Sequence, residues 1–291
     1  MTSIDILQHT RDLSGQLSLA VQAASLAGQI IAEGYDQTHA IDAKGVGDLV
    51  SEIDHRADRA MTDFLKDESD ALIISEELNP DVDVVPDDCW IVDPLDASSA
   101  FLMRAGKQYP SVLVAKREQG ETFCGVVHFP LTDEWFYAIR GQGAWKNGTP
   151  LQIPNQEVQL GEAWIEMNQY GDSSLETAAF SSLRQRLRSC EGARLVTSNV
   201  PHAGVAMRIA ESNSGLAAAV HDNRSDHVKQ GPWDIAAPVL ILIEAGGAAM
   251  TLAGGIVDPF AGQPFVVSRT HALAEAVLAC GAEMKSASQG S

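Results

Sequence analysis

The sequence predicts a mixed α/β (α+β) fold built from two packed halves, and three observations predict it. Apolar residues at helical spacing open the chain, short apolar runs ending in acid or glycine fill its middle, and strands alternate with helices beyond Pro154. With 291 residues, 45% of them hydrophobic, the chain can bury a substantial core. Residues 1–155 are assigned to an α+β half with a largely antiparallel sheet, and residues 156–285 to an α/β half. The junction carries no Gly/Ser linker or charge run. No internal repeat is found, and residues 286–291, at the end of the polar "KSASQGS", are expected to be disordered.

In "LSGQLSLAVQAASLAGQIIAEG", Leu13, Leu17, Val21, Ala24 and Ile31 recur at helical spacing, and Gly34 offers a stop. After an irregular segment around "DAKGVGD", the stretch "SEIDHRADRAMTDFL" reads as a helix with Ser51 as N-cap. Ile53, Ala57, Met61 and Phe64 share one face, and Asp54 falls in the first turn. "ALIISEE" and "DCWIVDPLD" are apolar runs ending in acid, which suits buried strands that deliver carboxylates at their ends. "SVLVAKREQGETFCGVVHF" and "EWFYAIRGQGAWKNGTPLQI" supply further strands about glycine-containing turns. "GQGAWKNG" opens no helix, so it reads as a turn and not as a phosphate loop. The second half runs "AWIEMN" strand, "SLETAAFSSLRQRLRS" helix, "ARLVTS" strand, "HAGVAMRIAES" helix, "LAAAVH" strand, "DIAAPVLILIEAGG" helix, "FVVS" strand and a terminal helix.

The formal net charge of −19 argues against nucleic-acid polymers as partners, since these need basic surface. It leaves a small anionic substrate open, because divalent metal held by carboxylates inverts the local charge. No run is long and apolar enough for a membrane helix, and the N-terminus shows no export signal. Cys89, Cys124, Cys190 and Cys280 lack C-x-x-C spacing, so reduced thiols and a cytoplasmic location are expected.

Acids stand at element ends in four places: Asp54, the pair Glu76 and Glu77, the pair Asp93 and Asp96, and Asp234 in "GPWDIAAP". Singly, each has a plain alternative. Asp54 or Asp234 could complement a helix dipole, and Glu76 and Glu77 could be surface acids. For Asp93 and Asp96 the apolar approach makes an unmatched pair costly. Together, oxygen-only ligands suit hard divalent cations such as Mg²⁺, and backbone N–H groups at a helix starting near Ala97 could cradle phosphate.

"WIVDPLDASSAF" resembles the W-[IV]-x-D-P-[LI]-D-G-T signature of the inositol monophosphatase family. "LIISEE" resembles its upstream Glu-Glu segment, "GDLVSEIDHRAD" its D-L-V-T-x-x-D segment, and "PWDIAAPVLILIEAGG" its W-D-x-A-A motif with trailing E-A-G-G. The motifs come in the family's order and span most of the chain. The resemblance implies a layered α-β-α-β-α, sugar-phosphatase-like fold and a Mg²⁺-dependent phosphomonoesterase with two or three Mg²⁺ per site. By resemblance, Glu76, Asp93, Asp96 and Asp234 are side-chain metal ligands and the Leu95 carbonyl is a backbone ligand. Asp54 and Ser98 orient and deprotonate the attacking water, and Ala97 and Ser98 lie at the phosphate. Lys44 matches a family lysine with an offset of about one residue. A homodimer is also implied.

The resemblance leaves the substrate open. An inositol or polyol monophosphate comes first and 3′-phosphoadenosine 5′-phosphate second, with fructose-1,6-bisphosphate and histidinol phosphate as further options. A non-catalytic binder or regulator of phosphoryl ligands is the competing class. Three departures bear on this choice. Ala97 and Ser98 stand for the signature's glycine and threonine; alanine is tolerable with helical dihedrals and costly at positive φ. Val200 and Pro201 replace Gly-Ser in a segment that normally touches substrate. The loop "VHDNRSDHVKQGPWD" is long and polar, and its Arg224, His227 and Lys229 either contact an extra phosphate or nucleotide or are simply exposed. His221 and His227, at i, i+6, fit no zinc signature.

Overall fold

The computed structural model describes residues 3–37, 41–45, 48–78, 80, 84–154, 156–168, 177–190, 192–198, 202–212, 215–222 and 231–280. Two helices open the chain, α1 (Ser3–Leu13) and α2 (Gly15–Gly34), separated at Ser14, whose extended backbone caps α2. The apolar spacing announces α2 alone; α1 is an added element. Strands β1 (Ile41–Gly45) and β2 (Asp48–Ser51) then pair antiparallel, where the sequence suggests only irregular structure. Ser51 caps α3 (Glu52–Glu68), as expected. The stripe that α3 buries completely is Ile53, Ala57, Met61 and Leu65, with Phe64 only partly covered. Fully burying each large member of that stripe contributes roughly 1.5–3 kcal/mol, which anchors the helix.

β3 (Leu72–Ser75), β4 (Cys89–Asp96), the short α4 (Ser98–Leu102), β5 (Ser111–Glu118), β6 (Glu121–Phe129), β7 (Glu134–Ile139), β8 (Gly143–Lys146) and β9 (Thr149–Leu151) follow. The seven strands form one sheet in chain order, β3 parallel to β4 and every later pair antiparallel. A 3₁₀ turn at Leu160–Glu162 leads into β10 (Trp164–Asn168), α5 (Ala178–Ser189), β11 (Arg194–Ser198), α6 (His202–Glu211), β12 (Leu216–His221), α7 (Pro232–Glu244), β13 (Ala248–Thr251), β14 (Phe265–Ser268) and α8 (His271–Ala279). These strands make a mixed sheet in the order β11-β10-β12-β14-β13. β13 goes unannounced because Ala-Ala-Met-Thr offers almost no β-branched signal.

The layers are α-β-α-β-α. One core lies between α1–α3 and the large sheet, a second between the two sheets around α6 and α7, and a third under α5 and α8. Helix α7 therefore comes from the second half of the chain yet lies against β5, β6 and β7 of the first. Gly125 makes the close approach possible, since a Cβ there would meet the Ala237 Cα at 2.8 Å.

A disulfide joins Cys190 to Cys280, with Cα atoms 6.7 Å apart, which corrects the expectation of four reduced thiols. The two lie 90 residues apart in sequence, and it is the docking of α5 and α8 on the same sheet that brings their C-terminal ends together. Cys89 and Cys124 are free and buried. Among the described residues no helix is long and apolar enough to cross a membrane. Residues 286–291 lie outside the described residues, as do Val200, Pro201, Arg224, His227 and Lys229.

Candidate active site

Strand β4 is buried along its whole length and runs into the site. In regular pleating, Asp93 and Asp96, three residues apart, would point to opposite faces. Pro94 has no N–H to give the ladder, and the β4–β5 register shifts between the Asp93↔Leu113 and Asp96↔Ser111 pairs. That irregularity lets the two carboxylates converge. A third arrives from the opposite half: Asp234, in the first turn of α7, accepts a 2.9 Å bond from Gly231 N–H. Carboxylate oxygens of Asp93, Asp96 and Asp234 all lie within 4.8 Å of one another, the one such group of potential metal ligands among the described residues. The helix-terminus role of Asp234 and its place in the cluster are thus both realised.

Of the three, Asp93 is the least answered by the described residues. Asp93 is 1% exposed; its Oδ1 accepts from Leu95 N–H at 3.0 Å, while its buried Oδ2 has no hydrogen-bond partner among the described residues. Burial pushes its carboxyl well above the usual range, and the carboxylates of Glu76, Asp96 and Asp234 push it further. Asp96 is raised to about 7 by burial and by Glu76, against the opposing hydrogen bonds of Ser111 and the Ala97 N–H. Ser111 Oγ donates to Asp96 Oδ2 at 3.0 Å. Glu76 is half-buried at the end of β3, its N–H on the Val92 carbonyl at 3.3 Å and its carboxyl against Asp93, outside the tight trio. Glu77 is half-buried beside it.

Asp54 is equally buried and fully engaged. Ser51 N–H and Ser51 Oγ donate to its Oδ2 at 2.8 and 2.5 Å, and Ser98 Oγ donates to its Oδ1 at 2.6 Å. The Leu95 carbonyl also stands 2.9 Å from Ser98 Oγ, so one hydroxyl proton has two acceptors. Asp54 and Ser98, 44 residues apart in sequence, therefore meet as a pair.

At Ala97 the costly one of the two alternatives is realised. The residue is left-handed, φ 72° and ψ 39°, and not helical. For a residue with a Cβ that conformation costs about 1–2 kcal/mol. Its N–H is turned back to the Asp96 carboxylate.

Other expectations resolve more plainly. The Gly141 and Gly143 N–H groups of the "GQG" turn both donate to the Glu244 carboxylate, at 2.7 and 2.9 Å. His221 is buried and stacks on Phe265. Asp222 binds the Thr177 N–H and hydroxyl at the start of α5. Lys44 lies in β1. Two site residues escaped the sequence reading as partners of the acids. Ser51 to Asp54 is a capping-box spacing that pairs the two in advance, whereas nothing local ties Ser111 to Asp96, 15 residues before it.

A model of the inositol monophosphatase family matches residues 12–285. The protein named Nus factor SuhB from Pasteurella multocida is 30% identical over 246 residues, covering 84% of this chain and 87% of the relative. Inositol monophosphatase 2 of Solanum lycopersicum is 30% identical over 249 residues, covering 83% and 89%. An IMPase/NADP phosphatase solved with Mg²⁺ and phosphate superposes with a TM-score of 0.70 at 22% identity, over 94% of this chain and 95% of that one. A match that runs almost end to end, on the layered fold described above, makes this chain a member of the inositol monophosphatase family.

Proposed function

We propose that the protein is a Mg²⁺-dependent phosphomonoesterase acting on a small phosphorylated molecule. The observation that carries this reading is the buried Asp93 Oδ2, which has no hydrogen-bond partner among the described residues and stands among further carboxylates. Such a set of hard oxygen donors fits Mg²⁺. In this reading Glu76, Asp93, Asp96, Asp234 and the Leu95 carbonyl hold two or three Mg²⁺. When bound, Mg²⁺ neutralises the oxygens that gather charge and stabilises the leaving alkoxide.

The chain's own residues handle the proton. Of its two acceptors, Asp54 Oδ1 is the nearer to the Ser98 hydroxyl, and a hydroxyl that donates there keeps lone pairs with which to accept. As Ser98 Oγ accepts a proton from the attacking water, it passes its own to Asp54 Oδ1, and no covalent phospho-enzyme forms. Ser51, with its N–H and Oγ on Oδ2, keeps Asp54 aimed at Ser98. Phosphate is placed beside Ala97 and Ser98.

An inositol or polyol monophosphate is the first substrate choice. A phosphonucleotide such as 3′-phosphoadenosine 5′-phosphate is second, favoured by Arg224, His227 and Lys229 in one loop, which would select for an extra phosphate. A non-catalytic role is the third reading, favoured by the left-handed Ala97 and by relatives named as Nus factors. Turnover of inositol monophosphate, 3′-phosphoadenosine 5′-phosphate, fructose-1,6-bisphosphate and histidinol phosphate with Mg²⁺ separates these readings. Hydrolysis of the first is expected, and hydrolysis of none sinks the enzymatic reading.

A further inference from the structure

Helix α3 carries a second buried acid one turn beyond Asp54. Asp58 is 0% exposed, and its Oδ2 accepts a 2.5 Å bond from the equally buried Ser75 Oγ. Ser75 ends β3 and immediately precedes Glu76. Its hydroxyl oxygen in turn accepts the backbone N–H groups of Glu77 and Leu78, at 3.3 and 3.4 Å, and the Leu78 N–H also lies against the Asp58 carboxylate. On the other side, the Glu76 N–H is tied to the Val92 carbonyl, one residue before Asp93. The turn bearing Glu76 is therefore pinned at two points, to α3 through Asp58 and to β4 through Val92.

A buried carboxylate is an expensive way to close a core, because an apolar side chain of the same size avoids the desolvation cost. Asp58 is not part of the Asp93, Asp96 and Asp234 cluster. Its side-chain hydrogen-bond partner is Ser75, the residue from which Glu76 extends.

We propose that Asp58 is a positioning residue for Glu76. Through the Ser75 hydroxyl it sets the aim of the Glu76 carboxylate into the acidic site. One helix thus places Asp54 directly and Glu76 at one remove. The proposal rests on Glu76 being a Mg²⁺ ligand, as read above, and its test separates the two.

Mg²⁺ is titrated calorimetrically into the natural chain, Ser75→Ala, Asp58→Leu, Glu76→Gln and the Ser75→Ala/Glu76→Gln double variant. Ile74→Val, a core change on the same strand, serves as the control for stability alone. Residues behind a metal ligand typically govern roughly 10–100-fold in affinity. Ser75→Ala and Asp58→Leu are each expected to weaken Mg²⁺ binding about tenfold, near the low end of that range. Ser75→Ala should add nothing once Glu76 is glutamine, and Ile74→Val should leave affinity unchanged. Ser75→Ala keeps the test decisive if Asp58→Leu does not fold. If Glu76→Gln weakens binding while Ser75→Ala leaves it unchanged, or if the double variant is fully additive, the positioning role is overturned. If Glu76→Gln leaves binding unchanged, the ligand reading beneath it fails, and the proposal fails with it.

Discussion

Asp54 and Asp93 are equally hidden, at 0% and 1% exposure, yet their surroundings are opposite. Asp54 receives three hydrogen bonds from two serines. Among the described residues Asp93 receives one, from Leu95 N–H, and it faces three like charges. Burial alone therefore does not mark a functional carboxylate, and what distinguishes the two is whether protein donors answer the charge. A satisfied acid such as Asp54 is held in one orientation and suits proton handling. An unsatisfied one such as Asp93 is stable as an anion only beside a cation.

Asp93→Asn is the hardest test of that contrast. It should lower Mg²⁺-dependent turnover by about a thousandfold or more, in line with the several kcal/mol that metal charge contributes. The same change should raise the metal-free melting temperature, because it removes repulsion while the retained amide oxygen can still accept from Leu95. A gain of about 1 kcal/mol corresponds to roughly 2–4 °C. A lower metal-free melting temperature in this variant would mean that Asp93 is satisfied after all. Ser98→Ala probes the other side. Steady-state kinetics at saturating Mg²⁺ should show kcat reduced by roughly 10²–10⁴-fold, the usual worth of a positioned acid or base. Calorimetric Mg²⁺ affinity should stay within a few-fold of the natural chain, and an equal loss in both quantities would make Ser98 part of the metal site instead.

Much of this contrast is legible in the sequence, though unevenly. Acids closing apolar runs, as in "DCWIVDPLD", announce buried carboxylates, and "SEID" announces the Ser51–Asp54 cap. The layered fold follows from the motifs' resemblance and from the alternation beyond Pro154. What local pattern cannot carry is distance across the chain. The Ser98–Asp54, Ser111–Asp96 and Cys190–Cys280 contacts each join segments that meet only after the sheets form. The β1–β2 hairpin and β13 are short and poor in β-branched residues, so their pairing is decided by tertiary context. The dihedral sign at Ala97 is likewise set by the chain's turn from β4 into α4, and alanine itself does not signal it.

A smaller effect comes from the pH dependence of the metal-free protein. The Asp96 carboxyl is raised in the fold to about 7, chiefly by burial, against roughly 3.9 in an unfolded chain. The folded state therefore binds this proton more tightly than the unfolded state does. Its contribution to stability is fully present below about pH 4 and is lost as pH rises toward 7. Asp93, raised in the same direction, adds to the trend. Melting temperatures taken with chelator should fall across that interval. With Mg²⁺ at a hundredfold excess over Kd, binding should restore about 2.7 kcal/mol near neutral pH. A metal-free curve that instead rises from pH 4 to 7 in the natural chain, but not in Asp96→Asn, would reverse the sign assigned to this site.

Ala97→Gly should have the smallest effect on stability and speaks most directly to activity. Releasing a left-handed alanine recovers about 1–2 kcal/mol, and glycine's extra backbone freedom in the unfolded chain takes back roughly 0.5–1. The net gain is about 1 kcal/mol or less, a rise of roughly 2–4 °C in melting temperature at most. Because the Ala97 N–H serves Asp96, and glycine keeps that N–H, metal affinity should not change. Turnover then isolates the methyl group. A change of less than tenfold is expected if Ala97 costs the fold only strain, and the natural chain is then a working phosphatase carrying a small stability burden. A much larger gain would place the Cβ in the path of the phosphate and favour the non-catalytic reading. The same methyl would then hold a carboxylate site otherwise built for metal below its chemical capacity.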